Sequence, residues 1–264
     1  MDLGIAGKVA VVSGGSKGLG RAVAEELARE GALVAVAARG RDALDATVAA
    51  IRRDGGSAIG VQADLTVRED ILRVVDTART ELGPVAIAVF NVYGPTHGRY
   101  EQVTDDALRS AYNDMVMSLH WLTGAVLDDM KAAGWGRLVT LNSMAAKEVH
   151  RDLPLFTANL TRSAAVSFNK TLSAEVAQHG ITVNTIGTGS FVTDRFSSYM
   201  KQQAAERGIA YDAFDAMQSD IVPLGRIGYP EEMSAVVAFL CSARASFVTG
   251  QFVVVDGGQV RTVL

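Results

Sequence analysis

Cysteine is almost absent from this chain: Cys241 stands alone among 264 residues, so an internal disulfide is excluded. Its place in a helical run makes it a small core residue rather than a reactive thiol. Long apolar runs are missing as well, and none approaches the roughly 20 residues that a bilayer-spanning helix needs. Charge of either sign is scarce in blocks: 25 Lys+Arg face 29 Asp+Glu, with no basic run or aromatic-interleaved stripe to track a phosphate backbone. Nucleic acid and membrane are therefore not expected partners. No pair of His or Cys residues has metal-ligand spacing, so no metal is expected, and no Gly-x-Ser-x-Gly elbow makes a serine a nucleophile. Met1 to Gly4 lead almost at once into a strand-like run at Lys8, which leaves no charged-then-apolar leader. A cytoplasmic location is expected.

What is present is a chain 48% apolar and long enough for one sizeable core, read as a single domain over residues 1–264. Short β-branched runs alternate with helical patterns, the signature of stacked βαβ units. Strands are expected at Val9 to Ser13, Leu33 to Ala37, Ser57 to Gln62, Val85 to Phe90, Gly136 to Asn142, Thr182 to Ile186 and Gln251 to Val255. Val85 to Phe90 is apolar throughout, as a strand covered on both faces must be. Helices are expected at Leu19 to Glu30, Arg41 to Asp54, Arg68 to Leu82, Thr104 to Ala133, Phe156 to His179 and Pro230 to Cys241. The pattern predicts a Rossmann-type α/β fold, a doubly wound parallel sheet of about seven strands with helices on both faces. In the fifth helix, Ala164, Ala165, Phe168, Leu172 and Val176 form a buried stripe, and Gly180 stops it. Ser190 to Gly228 reads as a long irregular segment, expected to be a substrate lid.

After the first strand comes Ser13-Gly14-Gly15-Ser16-Lys17-Gly18-Leu19-Gly20, opening directly into an amphipathic helix. Glycines let the backbone turn sharply and approach a pyrophosphate, while the helix N-terminus offers free N–H groups to the anion. Gly14, Ser16, Lys17, Gly18, Leu19 and Gly20 are thus candidate cofactor contacts. An NAD site of this kind ends its second strand on an acidic residue that binds the ribose 2′-hydroxyl. Here the sequence reads Ala37-Ala38-Arg39. With Arg39 and Lys17 in reach of a 2′-phosphate and no carboxylate to repel it, the charge favours NADP(H).

The whole chain resembles the short-chain dehydrogenase/reductase family. Ala63-Asp64-Leu65-Thr66 is similar to the family's adenine-binding turn, which implies roles for Asp64 and Leu65. Phe90-Asn91-Val92-Tyr93-Gly94-Pro95 stands where the family has Asn-Asn-Ala-Gly, and Asn91 is retained. Gly136 to Ser143 resembles the strand that delivers the family's catalytic serine, here Ser143. Asn184-Thr185-Ile186-Gly187-Thr188-Gly189 stands for Asn-x-x-x-Pro-Gly, with Gly189 near the cofactor and Thr193 where the family contacts the nicotinamide carboxamide. Val255-Asp256-Gly257-Gly258 matches the closing motif.

The family protonates a carbonyl oxygen with Tyr-x-x-x-Lys. Counting back from Ile181 to Asn184 sets Ala158 at the Tyr and Arg162 at the Lys; counting forward from Ser143 sets Phe156 at the Tyr. On either count the phenol is missing. The family's helix Asn falls on Met115, with Asn113 two residues away. Ser143 and Arg162 remain as catalytic candidates, Arg162 able to stabilise an oxyanion or anchor a ribose hydroxyl while staying charged. Tyr93, His97, His150, Tyr199 and Tyr211 are the alternative proton sources, whereas His120 and His179 read as structural. The resemblance implies NADPH-dependent reduction of a carbonyl, imine or activated double bond of a small molecule. An iminium substrate, already protonated, needs no tyrosine. A redox-silent enzyme on the same fold, of the halohydrin dehalogenase kind, and a non-catalytic NADPH-binding protein are the competing readings. The family pairs its fourth and fifth helices across a two-fold axis, which implies a homo-oligomer, a tetramer or dimer.

Overall fold

In the computed structural model, which describes residues 1–92, 94–95, 98–149 and 154–263, one parallel sheet runs through the molecule. Its strands are β1 (Val9–Ser13), β2 (Leu33–Ala38), β3 (Ser57–Gln62), β4 (Val85–Phe90), β5 (Gly136–Ser143), β6 (Ile181–Thr188) and β7 (Phe252–Val255). They lie in the order β3-β2-β1-β4-β5-β6-β7. The connecting helices are α1 (Gly18–Arg29), α2 (Arg41–Arg53), α3 (Arg68–Glu81), α4 (Asp105–Tyr112), α5 (Ser118–Ala133), α6 (Phe156–Val176), α7 (Asp194–Arg207), α8 (Tyr211–Asp220) and α9 (Pro230–Leu240). Among the described residues no helix is long and apolar enough to cross a membrane.

Strand side chains alternate between two apolar layers, as the period of two requires. Ala10, Val12, Val34, Val36, Ile87, Val89, Val139 and Leu141 face one layer, where α1, α2 and α9 contribute Leu27, Leu44, Ile51, Met233 and Val237. Val9, Val11, Ala35, Ala37, Ala88, Phe90 and Leu138 face the other, against Ile71, Val75, Leu122, Val126, Met130 and Ala165 of α3, α5 and α6. Coverage on both faces is why the strands read as unbroken apolar runs. Cys241 lies wholly within the first layer. Of the stripe on α6, Ala165 and Val176 are buried and Phe168 and Leu172 are half-buried. Gly180, at φ 71°, closes the helical turn after α6.

Two elements depart from the sequence reading. The long helix expected from Thr104 to Ala133 is two helices, α4 and α5, joined by a π-helical turn at Asn113–Met117. The turn holds one more residue than an α-turn and so rotates α5 about the helix axis relative to α4. The Ser190 to Gly228 segment is also not irregular: it carries α7 and α8, which pack Met200, Ala204 and Phe214 into a small cluster of their own.

Helix α6 is fixed to the sheet by a polar bond inside an apolar setting. The Asn169 amide nitrogen donates to Thr140 Oγ1 at 2.8 Å and to Thr185 Oγ1 at 2.9 Å, tying α6 to β5 and β6 at once. Asn169→Ala strips both buried hydroxyls of their donor and is expected to cost about 1–3 kcal/mol of stability. Urea unfolding measures this, and a variant as stable as the parent would mean that apolar contacts alone hold α6.

Candidate active site

Where β1 stops, its last side chain takes over from the strand ladder. The Ser13 hydroxyl donates to the Asn91 carbonyl at 3.0 Å and accepts from the Asn91 N–H at 2.7 Å, so β1 and β4 stay joined at their C-terminal ends. The Asn91 side chain donates in turn to Gly14 O at 3.2 Å. Gly14 has φ 59°, and a Cβ there would lie 2.5 Å from the Asn91 carbonyl oxygen. A Cβ on Gly20 would fall on the Gly14 carbonyl, so the first turn of α1 rests on the loop with no room for a side chain. No side chain caps α1 at Lys17, which leaves its first N–H groups for an anion in the cleft. The buried Thr47 hydroxyl reaches Ser16 O at 3.1 Å and pins the loop to α2. Leu19 packs against the first apolar layer behind the loop.

Lys17 and Arg39 are both exposed, at the side of the turn where β2 ends. The Arg39 carbonyl is held by the Gln62 amide at 2.9 Å, and its side chain is exposed. Beyond β3, Asp64 Oδ1 accepts from the Thr66 N–H and hydroxyl at 3.0 and 2.8 Å, while Leu65 is buried beneath. The Asn113 side chain donates to Thr66 O at 3.0 Å, so the π-helical turn fastens this loop rather than reaching the reacting end. Next to it, burial holds the Asp114 carboxyl above the usual carboxylate range, against the lowering hydrogen bond of Asn113; Asp64 raises it further and Arg39 lowers it.

The other end of the cleft is organised by Asn142, a residue that no sequence motif singles out. It is buried on β5, its amide nitrogen donates to Arg162 O at 3.0 Å, and its Oδ1 accepts from Ser143 N at 2.7 Å. Its own carbonyl accepts from the Thr188 hydroxyl at 2.8 Å. One side chain and its backbone thus join β5, β6 and α6. Ser143 Oγ accepts from Ala145 N at 3.2 Å, which leaves its hydrogen free to donate.

Arg162 projects from α6 toward Gly94: a Cβ on that glycine would lie 2.6 Å from Arg162 Nη2 and 3.5 Å from Arg195 Nη2. The Arg162 side chain keeps part of its surface open to the cleft, yet protein crowds the guanidinium, and desolvation, with the Arg195 charge second, lowers its pKa to about 10. Its polar contact is a long one, Nη1 to Asn142 Oδ1 at 3.5 Å. Ala158, one turn earlier, is buried at 4% exposure. Phe156 is 42% exposed and meets Tyr100 edge-on at 5.2 Å.

The remaining candidates are spread more widely. Thr193 caps α7 by accepting from Phe196 N, and its side chain would touch a Cβ on Gly18, so the segment after β6 passes beside the glycine turn. Gly189 packs on the chain's last loop, where a Cβ would lie 2.6 Å from Asp256. Tyr199 and Tyr211 border the α7–α8 cluster. His120 meets the Phe168 ring at 6.3 Å. Tyr93, His97 and His150 lie outside the described residues. Arg195 escapes a sequence reading for a simple reason: nothing in a one-dimensional pattern connects it to Arg162.

Sheet order, glycine turn and strand-end residues together define a dinucleotide-binding α/β fold of the Rossmann type. The chain belongs to the short-chain dehydrogenase/reductase family: residues 14–259 match the family described as Enoyl-(Acyl carrier protein) reductase. It is 32% identical over 255 residues to Dehydrogenase/reductase SDR family member 4 of Oryctolagus cuniculus, covering 96% of this chain and 94% of that protein. It is 34% identical over 252 residues to the Short-chain reductase protein NovJ of Streptomyces niveus, covering 95% and 93%. Among solved structures, L-sorbose reductase from Gluconobacter frateurii, complexed with NADPH and L-sorbose, superposes with a TM-score of 0.94 at 30% identity over the full length of both chains. A single-residue variant of actinorhodin polyketide ketoreductase with NADPH gives 0.91 at 28%, covering 97% of this chain and 98% of that one.

Gly20→Ala puts a methyl group against the Gly14 carbonyl, and the overpacking is expected to cost about 1–3 kcal/mol. Thermal unfolding checks it. An unchanged midpoint would show that α1 does not rest on the turn.

Proposed function

We propose that the chain is an NADPH-dependent oxidoreductase that reduces a carbonyl, imine or activated double bond of a small molecule, with Ala158 and Arg162 standing in for the family's Tyr and Lys. The observation that carries the cofactor assignment is the pairing of a glycine cradle and uncapped helix with Lys17 and Arg39, at a β2 end that has no carboxylate. The NADPH complexes among its structural relatives support the same cofactor. Gly14, Ser16, Gly18, Leu19, Gly20 and Asn91 would hold the pyrophosphate side, Asp64 and Leu65 the adenine, and Gly189 and Thr193 the nicotinamide side. When bound, the dihydronicotinamide supplies a hydride to the substrate carbon.

The chain's own contribution is at the oxygen. Ser143 donates its free hydroxyl hydrogen, and Arg162 adds a fixed positive charge where negative charge develops, without giving up its proton. The balancing proton then comes from water or from a loop side chain. We assign the 190–228 segment as a lid on this single-domain chain, since Thr193 brings it beside Gly18 and α7 and α8 have their own small core. The location proposed is cytoplasmic, and a homo-oligomer, tetramer or dimer, fits the half-buried β7 at the sheet edge and the fully exposed Phe247.

NADPH is expected to bind about ten-fold or more tightly than NADH, since two charge-assisted contacts reach the 2′-phosphate. Arg39→Asp should reverse the order. Fluorescence titration of both cofactors decides it, and equal affinities would sink the assignment. Cofactor oxidation over a panel of ketones, imines and enones tests the reaction; saturable NADPH binding with no turnover would favour a binding protein. Light scattering at micromolar concentration is expected to give a multiple of the 27.9 kDa chain mass.

A further inference from the structure

Several arginines elsewhere in the chain are paired or bonded. Arg21, Arg41, Arg73, Arg79 and Arg226 each pair with a carboxylate within 3 Å, and these are side chains with solvent at hand. Arg137, at 2% exposure, has no acid but donates to three backbone carbonyls, those of Ser242, Gly136 and Gly180. Arg162 has neither solution. Among the described residues its fork of five N–H groups meets one acceptor, at 3.5 Å, and no carboxylate lies within ion-pair distance of it. A second guanidinium, Arg195, approaches the same glycine and adds repulsion. A cation enclosed in this way is costly unless something else in the working complex neutralises it.

We propose that the substrate brings that neutralising group: a carboxylate one or two carbons from the reacting carbonyl, received by the Arg162 guanidinium across Gly94. The inference rests on the reductase reading above and narrows it to oxo acids. Three features point to a carboxylate. The guanidinium plane offers parallel N–H donors that match two carboxylate oxygens. Arg162 itself carries a single positive charge, which a carboxylate matches, whereas a phosphomonoester brings nearly two. The position fits as well, because Asn142 holds both the Arg162 backbone and the Ser143 N–H, so the anion site and the reacting oxygen are set by one residue. Entry of the carboxylate also relieves the repulsion between the two guanidiniums, which a neutral substrate cannot do.

The test uses substrate pairs that differ only in charge: pyruvate and methyl pyruvate, benzoylformate and methyl benzoylformate, acetoacetate and methyl acetoacetate, each with NADPH and the full chain. Esters are the more electrophilic partners, so intrinsic reactivity works against the expected result. The acids are expected to be favoured by about 10- to 100-fold in kcat/KM, mainly through KM. Arg162→Gln should erase the preference, Arg162→Lys should keep part of it, and NADPH affinity should be unchanged in both. Esters reduced as well as acids, or a preference that survives Arg162→Gln, would overturn the proposal. So would a parallel loss of NADPH affinity, which would make Arg162 a cofactor anchor. A second arm is independent of turnover: calorimetric titration of benzoylformate into the chain saturated with NADP+. If no substrate of either charge oxidises NADPH, the reductase reading fails by itself. Saturable benzoylformate binding abolished by Arg162→Gln still upholds the carboxylate site, and absence of binding overturns it.

Discussion

Everything in the cleft depends on how β1 and β4 part. Chain connections run outward in opposite directions from these two neighbours, β2 and β3 to one side and β5 to β7 to the other, so the helices after them separate and leave a crevice at the strand ends. Left to the ladder alone, the strand ends there would fray into solvent. The Ser13 hydroxyl prevents it by serving as acceptor and donor to one residue, Asn91, and Asn91 passes the restraint on to Gly14. Strand end, glycine loop and helix start thus form one rigid piece. A backbone held this way can present N–H groups to an anion without reorganising when it arrives.

How legible this is in the sequence depends on whether the information is local. Strands covered on both faces advertise themselves as unbroken apolar runs, and the expected ends agree with the observed ones to within two residues at β1 to β7. The glycine turn is equally plain, because the steric demand acts between residues close in sequence. The π-helical turn at Asn113–Met117 is not, since an inserted residue changes the phase of a helix without changing its composition. Nor are α7 and α8, whose apolar residues pack mainly on each other and so give a weak stripe. In the site, Ser143 and Arg162 can be found by counting from motifs. Asn142 and Arg195 cannot: one acts through bonds to residues far along the chain, the other through proximity to a glycine on a different strand's end.

The charges divide the cleft into zones. Lys17 and Arg39 lie exposed at one end, where water screens them until a ligand arrives, so they cost little in its absence. Asp64, beyond the edge strand β3, and Asp114 add carboxylates near Arg39, and burial raises the pKa of the latter. Arg162 with Arg195 makes the far end positive, and there screening is poor. Cations at two separate places in the cleft suit an elongated ligand assembly whose anionic groups are also far apart.

An arginine at such a place offers a different kind of chemistry from a lysine. An enclosed lysine beside another cation loses its proton near neutral pH and can take part in proton transfer. Desolvation and, second, the Arg195 charge lower Arg162 to about 10, and at that value it stays protonated at pH 7. Because the folded-state value lies below the ordinary one, folding disfavours the charged form across the neutral range, and loss of the proton relieves the penalty only as pH rises through about 10. The chain therefore keeps Arg162 as a cation at neutral pH in a crowded setting. Such a charge cannot shuttle protons, but it can hold an anion, and binding one converts the stored penalty into affinity for that anion. On the proposed assignment, with Ala158 at the position of the family's phenol, the proton path and the charge are uncoupled, and substrate selection rests on the receiver of the charge.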